Sequence, residues 1–461
     1  MTFIFLLLIF SLPSHSSARS TTLSLSPTAL PPPLQTDLWQ KLRHLSAASS
    51  ARAHNLKHPQ SNPTTTTTTT TTAASAPLFP RGYGGYSISL GVGTPPQNLS
   101  FLMDTGSSLL WFPCTQRYSC SSCSFPGSDP ASLPVFIPRS SSTSRIVGCR
   151  NPSCKWIFPD VQCRECAQNA TTCSELCPPY IIQYGSGSTT GLLLSDSLNL
   201  PGRTVENFTA GCSVFSTRQP EGIAGFGRGP QSLPSQLGLT RFSYCLVSHR
   251  FDDSPASSDL VLTAATSRSK TAGAEYTPFR QNTSTGNPAF GDYYYITLRK
   301  ITVGGVNVKA PYEFLAADAS GKGGTIVDSG TTFTYMDKGV FEPLEEEFVR
   351  QVGRNYSRTV EVEKRAGLRP CFNVSGEETI TLPQLTFHFK GGAEMVLPLA
   401  DYFSFSEESV VCMTIVTSDG ALGGGVGPGP SIILGNYQQQ NFYVEYDLEN
   451  DRFGFKRQLC R

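Results

Sequence analysis

Charge is scarce in this chain. Lys, Arg, Asp and Glu make up 15% of 461 residues, and 36 basic residues against 35 acidic ones leave a net of +1; about 25% charged is usual. Such a balance provides no global field toward nucleic acid or an anionic membrane, so neither is expected as a partner. Long apolar runs are nearly missing as well. The one at the start, Phe3 to Leu12, is too short to span a bilayer, and Ser16-Ser17-Ala18 come after it with the small residues of a cleavage site. Residues 1–18 therefore read as a signal peptide, with a signal-anchor as the competing reading because no Lys or Arg precedes the apolar run. The last residues, FGFKRQLCR, lack the hydrophobic tail of a glycolipid anchor. The expected product has no stable membrane anchor and is secreted to the extracellular space or cell wall, with the vacuole as the other destination.

Gly (41) and Pro (34) are plentiful, as are Ser and Thr, a composition of short strands and turns that points to an all-β fold. At 461 residues the chain fits two or three domains, or one large two-lobed body. Fourteen cysteines, an even number, fit an oxidising compartment in which they pair as disulfides. Six sequons agree with that route: Asn98, Asn169, Asn207, Asn282, Asn355 and Asn373.

Residues 19–79 differ in character from the rest of the chain. They hold Pro31 to Pro33, a basic helical stretch LWQKLRHLSAASSARAHNLKH, and nine threonines from Thr64 to Thr72. The Thr tract has no means of building a core. Arg19, Lys41, Arg43, Arg52 and Lys57 against Asp37 give this leader a net of +4, which leaves about −3 for residues 80–461. A basic leader before an acidic body suggests a pro-segment held partly by charge, loosening when carboxylates protonate; the competing reading is a solvated linker. After it, YSISLGVGTPPQNLSFLMDTG reads as a β-hairpin entering a loop, and YYYITLRKITVGGVNV as a second hairpin with Gly-Gly at the turn. The clearest helix in the body is MDKGVFEPLEEEFVRQVG, with Phe341, Leu344, Phe348 and Val352 on one face.

The chain also resembles itself. FLMDTGSS (101–108) matches TIVDSGTT (325–332), and each is succeeded at a similar interval by an apolar pair closed by Gly, Ile223-Ala224-Gly225 and Ile433-Leu434-Gly435. Two related all-β lobes facing each other would bring Asp104 and Asp328 to one seam. Two carboxylates meeting in a poorly solvated place cannot both ionise; they share a proton, so one serves as base and the other as acid. A water held between them could be deprotonated while a carbonyl is protonated, which is the chemistry of amide hydrolysis.

At these residues the sequence resembles the pepsin-like aspartic endopeptidases, within them the plant branch of nepenthesin and nucellin. The resemblance runs from about Tyr86 to Lys456 and is carried by D104TGSS, the tryptophan in LLWFPC, Y184GSGS, GIAGFGRG, FSYC, D328SGTT and ILGNYQQQNFYVEYDLENDRFGF. It implies a bilobal double β-barrel with pseudo-twofold symmetry and a central cleft, with lobes at 80–275 and 276–461 and the peptidase domain at about 86–456. It implies a catalytic pair, Asp104 and Asp328. Thr105 and Ser329 would bond across the lobes, Ser107 and Thr331 would bond the outer carboxylate oxygens, and Gly106 and Gly330 would complete the two loops. Tyr184 and Gly185 would belong to a flap over the substrate, with Trp111 as the tyrosine's partner. The resemblance further implies protein or peptide substrates, no cofactor and a monomeric state. The saposin-like insert of typical vacuolar relatives is absent, and the second motif reads DSG in place of DTG.

Ten cysteines lie between Cys114 and Cys212. Cys120-X-X-Cys123 and Cys163-X-X-Cys166 have a zinc-binding spacing, but the region has no His and the compartment is oxidising, so no metal is expected. Similarity to nepenthesin-like enzymes implies Cys114–Cys120, Cys123–Cys212, Cys149–Cys177, Cys154–Cys173, Cys245–Cys460 and Cys371–Cys412. Cys163 and Cys166 are left to pair with each other. The rival from another class is a catalytically silent binding protein on the same scaffold, like the plant xylanase inhibitors, whose catalytic motifs are degraded. Here both aspartates, their hydroxyl neighbours, Tyr184 and Trp111 are present.

Overall fold

A computed structural model describes residues 38–57, 74–81, 84–123, 134–163, 175–185, 187–219, 221–248, 256–280, 291–377, 380–407, 409–418 and 426–461. Its first element is helix α1, Leu38–Leu56, in the basic stretch where a helix was expected. Leu42, Leu45, Ala53 and Leu56 are buried along one stripe of it, packed in a cluster with Tyr293, Tyr295, Phe333 and Tyr437 of the C-terminal half. The leader is thus seated on the body.

Strand β1, Ala74–Pro80, pairs antiparallel with Ser258–Thr263 and, through Phe79 and Pro80, with β2, Tyr86–Val92. Residues 74–79, at the end of the stretch read as leader, are therefore ladder members of the main sheet. β2 and β3, Gln97–Asp104, make the expected hairpin, closed by Val92 opposite Gln97. Parallel to β3 lies Gly222–Gly225, with Gly225 level with Asp104, and β4, Trp111–Pro113, joins that strand on its other side through Trp111 opposite Ile223.

The C-terminal half repeats this arrangement. Thr325–Val327 is parallel to Ile432–Leu434, and Thr334–Met336 pairs antiparallel with Ile432–Leu434 through Tyr335 and Ile433. A strand with neighbours on both edges and apolar layers on both faces needs a continuous apolar run, which is why Ile-Ala and Ile-Leu stand before the two glycines. The halves also share a sheet: Arg241–Cys245 pairs along its length with Phe442–Asp447. Behind that seam Phe242 stacks on Tyr446 with ring centroids 4.4 Å apart.

The other expected elements form where the pattern placed them. The helix runs Lys338–Val352 with Phe341, Leu344, Phe348 and Val352 buried. The Gly-Gly turn joins Leu298–Val303 to Val306–Asn307, with positive φ at Gly304 (55°) and Gly305 (79°). Asn98, Asn207, Asn355 and Asn373 are exposed; Asn169 and Asn282 lie outside the described residues.

The disulfides divide into two groups. Cys245–Cys460 and Cys371–Cys412 form as the resemblance implied. In the N-terminal half the pairs are Cys114–Cys212, Cys120–Cys123, Cys149–Cys163 and Cys154–Cys177. The expected bridges Cys114–Cys120, Cys123–Cys212, Cys149–Cys177, Cys154–Cys173 and Cys163–Cys166 are thereby corrected. For the first, the reason is strand register: β4 runs parallel to Arg203–Thr217 with Phe112 opposite Cys212, which leaves the Cα atoms of Cys114 and Cys212 5.1 Å apart. Likewise the Cys177 amide bonds the Val147 carbonyl, and Val147, Cys154 and Cys177 pack in one buried cluster. Cys166 and Cys173 lie outside the described residues.

One buried acid has a consequence for stability. Asp401 is fully buried and neither of its carboxyl oxygens has a hydrogen-bond partner. Burial pushes its pKa up to about 8, with the charge of Arg457 pulling the other way. The folded chain therefore keeps a proton that the unfolded chain releases, so this group withdraws stability as pH rises from about 4, the unfolded Asp value, toward that folded value. Asp401→Asn should match the native chain in thermal melting near the low end of that window and exceed it by several degrees at the high end. A melting difference that does not grow with pH would exclude this source of acid preference.

Candidate active site

Asp104 ends β3 and Asp328 comes directly after Thr325–Val327, so each is delivered by a central strand at the seam between the halves. Each is held by its parallel neighbour: the Phe226 amide bonds the Asp104 carbonyl (2.7 Å), and the Asp328 amide bonds the Leu434 carbonyl (3.0 Å). Both aspartates are fully buried.

The two loops are then tied to each other. The Thr105 amide donates to Ser329 Oγ (3.1 Å) and the Ser329 amide to Thr105 Oγ1 (2.9 Å), while the hydroxyls themselves donate to the Val327 and Met103 carbonyls at 3.3 and 2.9 Å. Every donor in this cross-brace has its twofold counterpart. Around each carboxylate the pattern repeats. Ser107 Oγ donates to Asp104 Oδ2 (2.6 Å) and Thr331 Oγ1 to Asp328 Oδ2 (2.5 Å), and the Gly106 and Gly330 amides donate to the respective Oδ1 atoms at 2.9 Å each. Glycine is required at both positions, since a Cβ on Gly106 would fall 2.6 Å from Asp328 Oδ1 and one on Gly330 would fall 2.4 Å from Asp104 Oδ1.

Between the carboxylates stands a guanidinium. Arg52 of α1 reaches Asp104 Oδ1 with Nη2 (2.5 Å), Asp328 Oδ1 with the same nitrogen (3.2 Å) and Asp328 Oδ2 with Nε (2.7 Å). One nitrogen bonding both Oδ1 atoms fixes how far apart they can be: no further than those two bonds laid end to end. Burial works against the charge on Arg52, but the two carboxylates outweigh it and hold the guanidinium charged. For the acids the balance differs. Burial raises Asp104 above the usual carboxylate range, with Arg52 opposing and the neighbouring Asp328 adding to the rise. Asp328 is also penalised by burial, yet its charge attraction and hydrogen bond to Arg52, with the Thr331 and Gly330 bonds, bring it below that range.

The remaining expected residues converge on the same place. Tyr184 comes after Tyr180–Gln183 at the tip of a hairpin with Ser188–Leu200, and its hydroxyl accepts a hydrogen bond from Trp111 Nε1 (2.8 Å). Gly185 lies directly on α1, where a Cβ would meet Arg52 Cα at 1.8 Å. Asn55 Nδ2 donates to the Tyr184 carbonyl, and Lys57 pairs with Asp337 while lying over the Tyr335 ring. A pocket of about 390 Å³ remains beside α1, bordered by Ser107, Tyr184, Gln231, Asp292 and Tyr293.

Sequence reading missed Arg52, Lys57, Asp337, Gln231 and Asp292 as members of the site. The leader's excess positive charge signalled that a cation would meet the acids; which of its basic residues did so depended on the seat of α1. No helix among the described residues is long and apolar enough to cross a membrane.

With this geometry in view, similarity to known proteins is informative. The families described as Xylanase inhibitor N-terminal and Xylanase inhibitor C-terminal match residues 86–262 and 293–457. A protein named as a probable aspartyl protease from Arabidopsis thaliana is 36% identical over 81% of this chain and 82% of its own. Aspartic proteinase nepenthesin-1 from Nepenthes gracilis is 32% identical over 82% of this chain and 79% of its own. In fold, the crystal structures of edgp (TM-score 0.63, 20% identity, 87% of this chain and 97% of that one) and of basic 7S globulin from soybean (0.60, 18%, 83% and 96%) are similar. The mostly β architecture is that of these neighbours, and the chain belongs to the pepsin-like aspartic proteases of plants.

Proposed function

We propose that this chain is the zymogen of a secreted aspartic-type endopeptidase in which Asp104 and Asp328 activate a water against a peptide bond at acidic pH. The observation that carries the reading is the single guanidinium nitrogen bonded to both Oδ1 atoms. Carboxylates close enough to share one donor are close enough to share one proton, and proton sharing by such a pair is the known behaviour of aspartic proteases. With Arg52 gone, a water occupies the place of its nitrogen. The ionised carboxylate takes a proton from that water as its oxygen bonds to the scissile carbonyl carbon, and the protonated one gives its proton to the carbonyl oxygen. The resulting gem-diol collapses as the C–N bond breaks, with a proton delivered to the leaving amine. The hydroxyls of Ser107 and Thr331 keep the outer oxygens in place throughout, and Tyr184, bonded to Trp111, closes the site against water.

Release of the leader depends on the same charges. Arg52 lowers the pKa of both acids, so its hold is complete where they are ionised and is lost as pH falls and they take up protons; arginine itself stays charged throughout. Because Ala74–Pro80 is a member of the main sheet, the removed segment ends before β1, and N-terminal sequencing of the secreted protein should begin at or before Ala74. A silent inhibitor on this scaffold has less support, since the complete set of dyad, cross-brace and tyrosine would have no use in it.

Two experiments test this. Asp104→Asn or Asp328→Asn should reduce cleavage of a denatured protein near about pH 4 by more than about a thousandfold in a variant that still melts cooperatively as a folded chain; substantial residual cleavage in either variant removes the mechanism. Arg52→Ala in the full chain leaves two buried carboxylates without their cation, which costs about 3–5 kcal/mol when they are ionised. Its loss of stability should be large at neutral pH and shrink on acidification, and a pH-independent loss would show that the charge contact does not hold the leader.

A further inference from the structure

One wall of the pocket beside α1 is polar in a way that neither the aspartate pair nor the leader uses. Asp292 and Gln231 both border it. Asp292 is positioned by main-chain bonds: its carbonyl accepts from the Arg228 amide (3.1 Å), and the adjacent Gly227 amide donates to the Ser107 carbonyl (2.8 Å). It is therefore linked through two residues to the loop whose hydroxyl bonds Asp104. Its own carboxyl group, half-buried at the pocket wall, makes no hydrogen bond or ion pair with any described residue. Gln231 is 5% exposed, and its Oε1 is buried without a donor. Both residues thus border one pocket with no donor among the described residues to their side-chain oxygens: the half-buried Asp292 carboxyl, and the buried Gln231 Oε1, an orphan of the kind native interiors avoid unless another group completes it.

We propose that Asp292 and Gln231 form a specificity subsite that receives a basic side chain, Lys or Arg, of the bound polypeptide. The inference rests on the proteolytic reading of the cleft and assigns one of its substrate preferences. An ammonium or guanidinium carries donors only and so can serve these oxygens, whereas an apolar side chain would cover them and leave both unpaired. The pocket already admits such a group, because Arg52 lines it. Without a partner, desolvation pushes the Asp292 carboxyl up to about 7; an arriving cation returns it to the ionised form. Apolar side chains suit the pocket's other walls, where Leu109, Ile157, Phe158 and Ile182 stand.

The test uses the secreted protein after acid treatment, with loss of the leader checked by N-terminal sequencing. In a randomised peptide library, Lys and Arg should be enriched about tenfold over norleucine at one position near the cut bond. Asp292→Leu should abolish that enrichment with the preferences at other positions retained. Asp292→Asn, which keeps the shape and the hydrogen-bonding capacity but cannot ionise, should abolish it too. Enrichment that survives both substitutions overturns the subsite. The same preparation is titrated with peptide pairs carrying a reduced, uncleavable bond and either Lys or norleucine at each position in turn. About tenfold tighter binding of one Lys peptide, lost in both variants, supports the subsite even if the library is not cut, in which case the proteolytic reading fails alone. Equal affinities of every pair overturn the subsite whatever the library yields.

Discussion

Two negative charges cannot be buried side by side without a compensating charge or a proton, and the arrangement of this molecule answers that constraint. Asp104 and Asp328 are withdrawn from water at the ends of strands that cannot shift, because each is flanked by a parallel neighbour and its loop is bonded to the loop opposite. The cross-brace uses two hydroxyls and two amides to fix a distance. Once that distance is fixed, desolvation and mutual repulsion are unavoidable, and the site accepts only a cation, a shared proton, or a group that resembles one.

Arg52 is that cation in this form of the chain. It is presented from a helix whose apolar stripe is buried on aromatic residues of the C-terminal half, so the charge contact is set by packing as much as by attraction. Lys57 adds a second contact, to Asp337, toward the same half. An arginine suits the role better than a lysine would, since its planar fork meets two carboxylates at once and does not deprotonate. Control by acidity then falls to the carboxylates, the same groups that the proposed chemistry employs. On that proposal, the acids that react and the acids that release the leader are one pair.

The polar wall at Asp292 is governed by the same cost of burial. An unpaired carboxyl and an unpaired amide oxygen beside a cleft are costly if the cleft stays empty and useful if a donor arrives. Asp401, unpartnered and not among the residues that line the pocket, makes the contrast: there the same desolvation only ties the fold to low pH.

The duplicated DTGSS and DSGTT frames, the apolar pairs before Gly225 and Gly435, the hairpins and the helix over Lys338–Val352 were all legible because they depend on local periodicity and on residue types that a single position demands. The family resemblance rested on those same frames, and so did the placement of the hydroxyl partners and of Tyr184 against Trp111. The cysteine pairs of the N-terminal half were not legible. A disulfide joins residues whose Cα atoms lie about 5–6 Å apart, and that proximity was decided by β4 lying parallel to Arg203–Thr217, a register no spacing encodes. The leader's sign of charge was written in the sequence; that Arg52 is the residue delivering it was settled by the fold alone. Sequence by itself determined the chemistry available, through which groups exist and in what repeated frame; tertiary structure decided which of them meet, because contacts across hundreds of residues are set by packing and strand register, which local pattern does not carry.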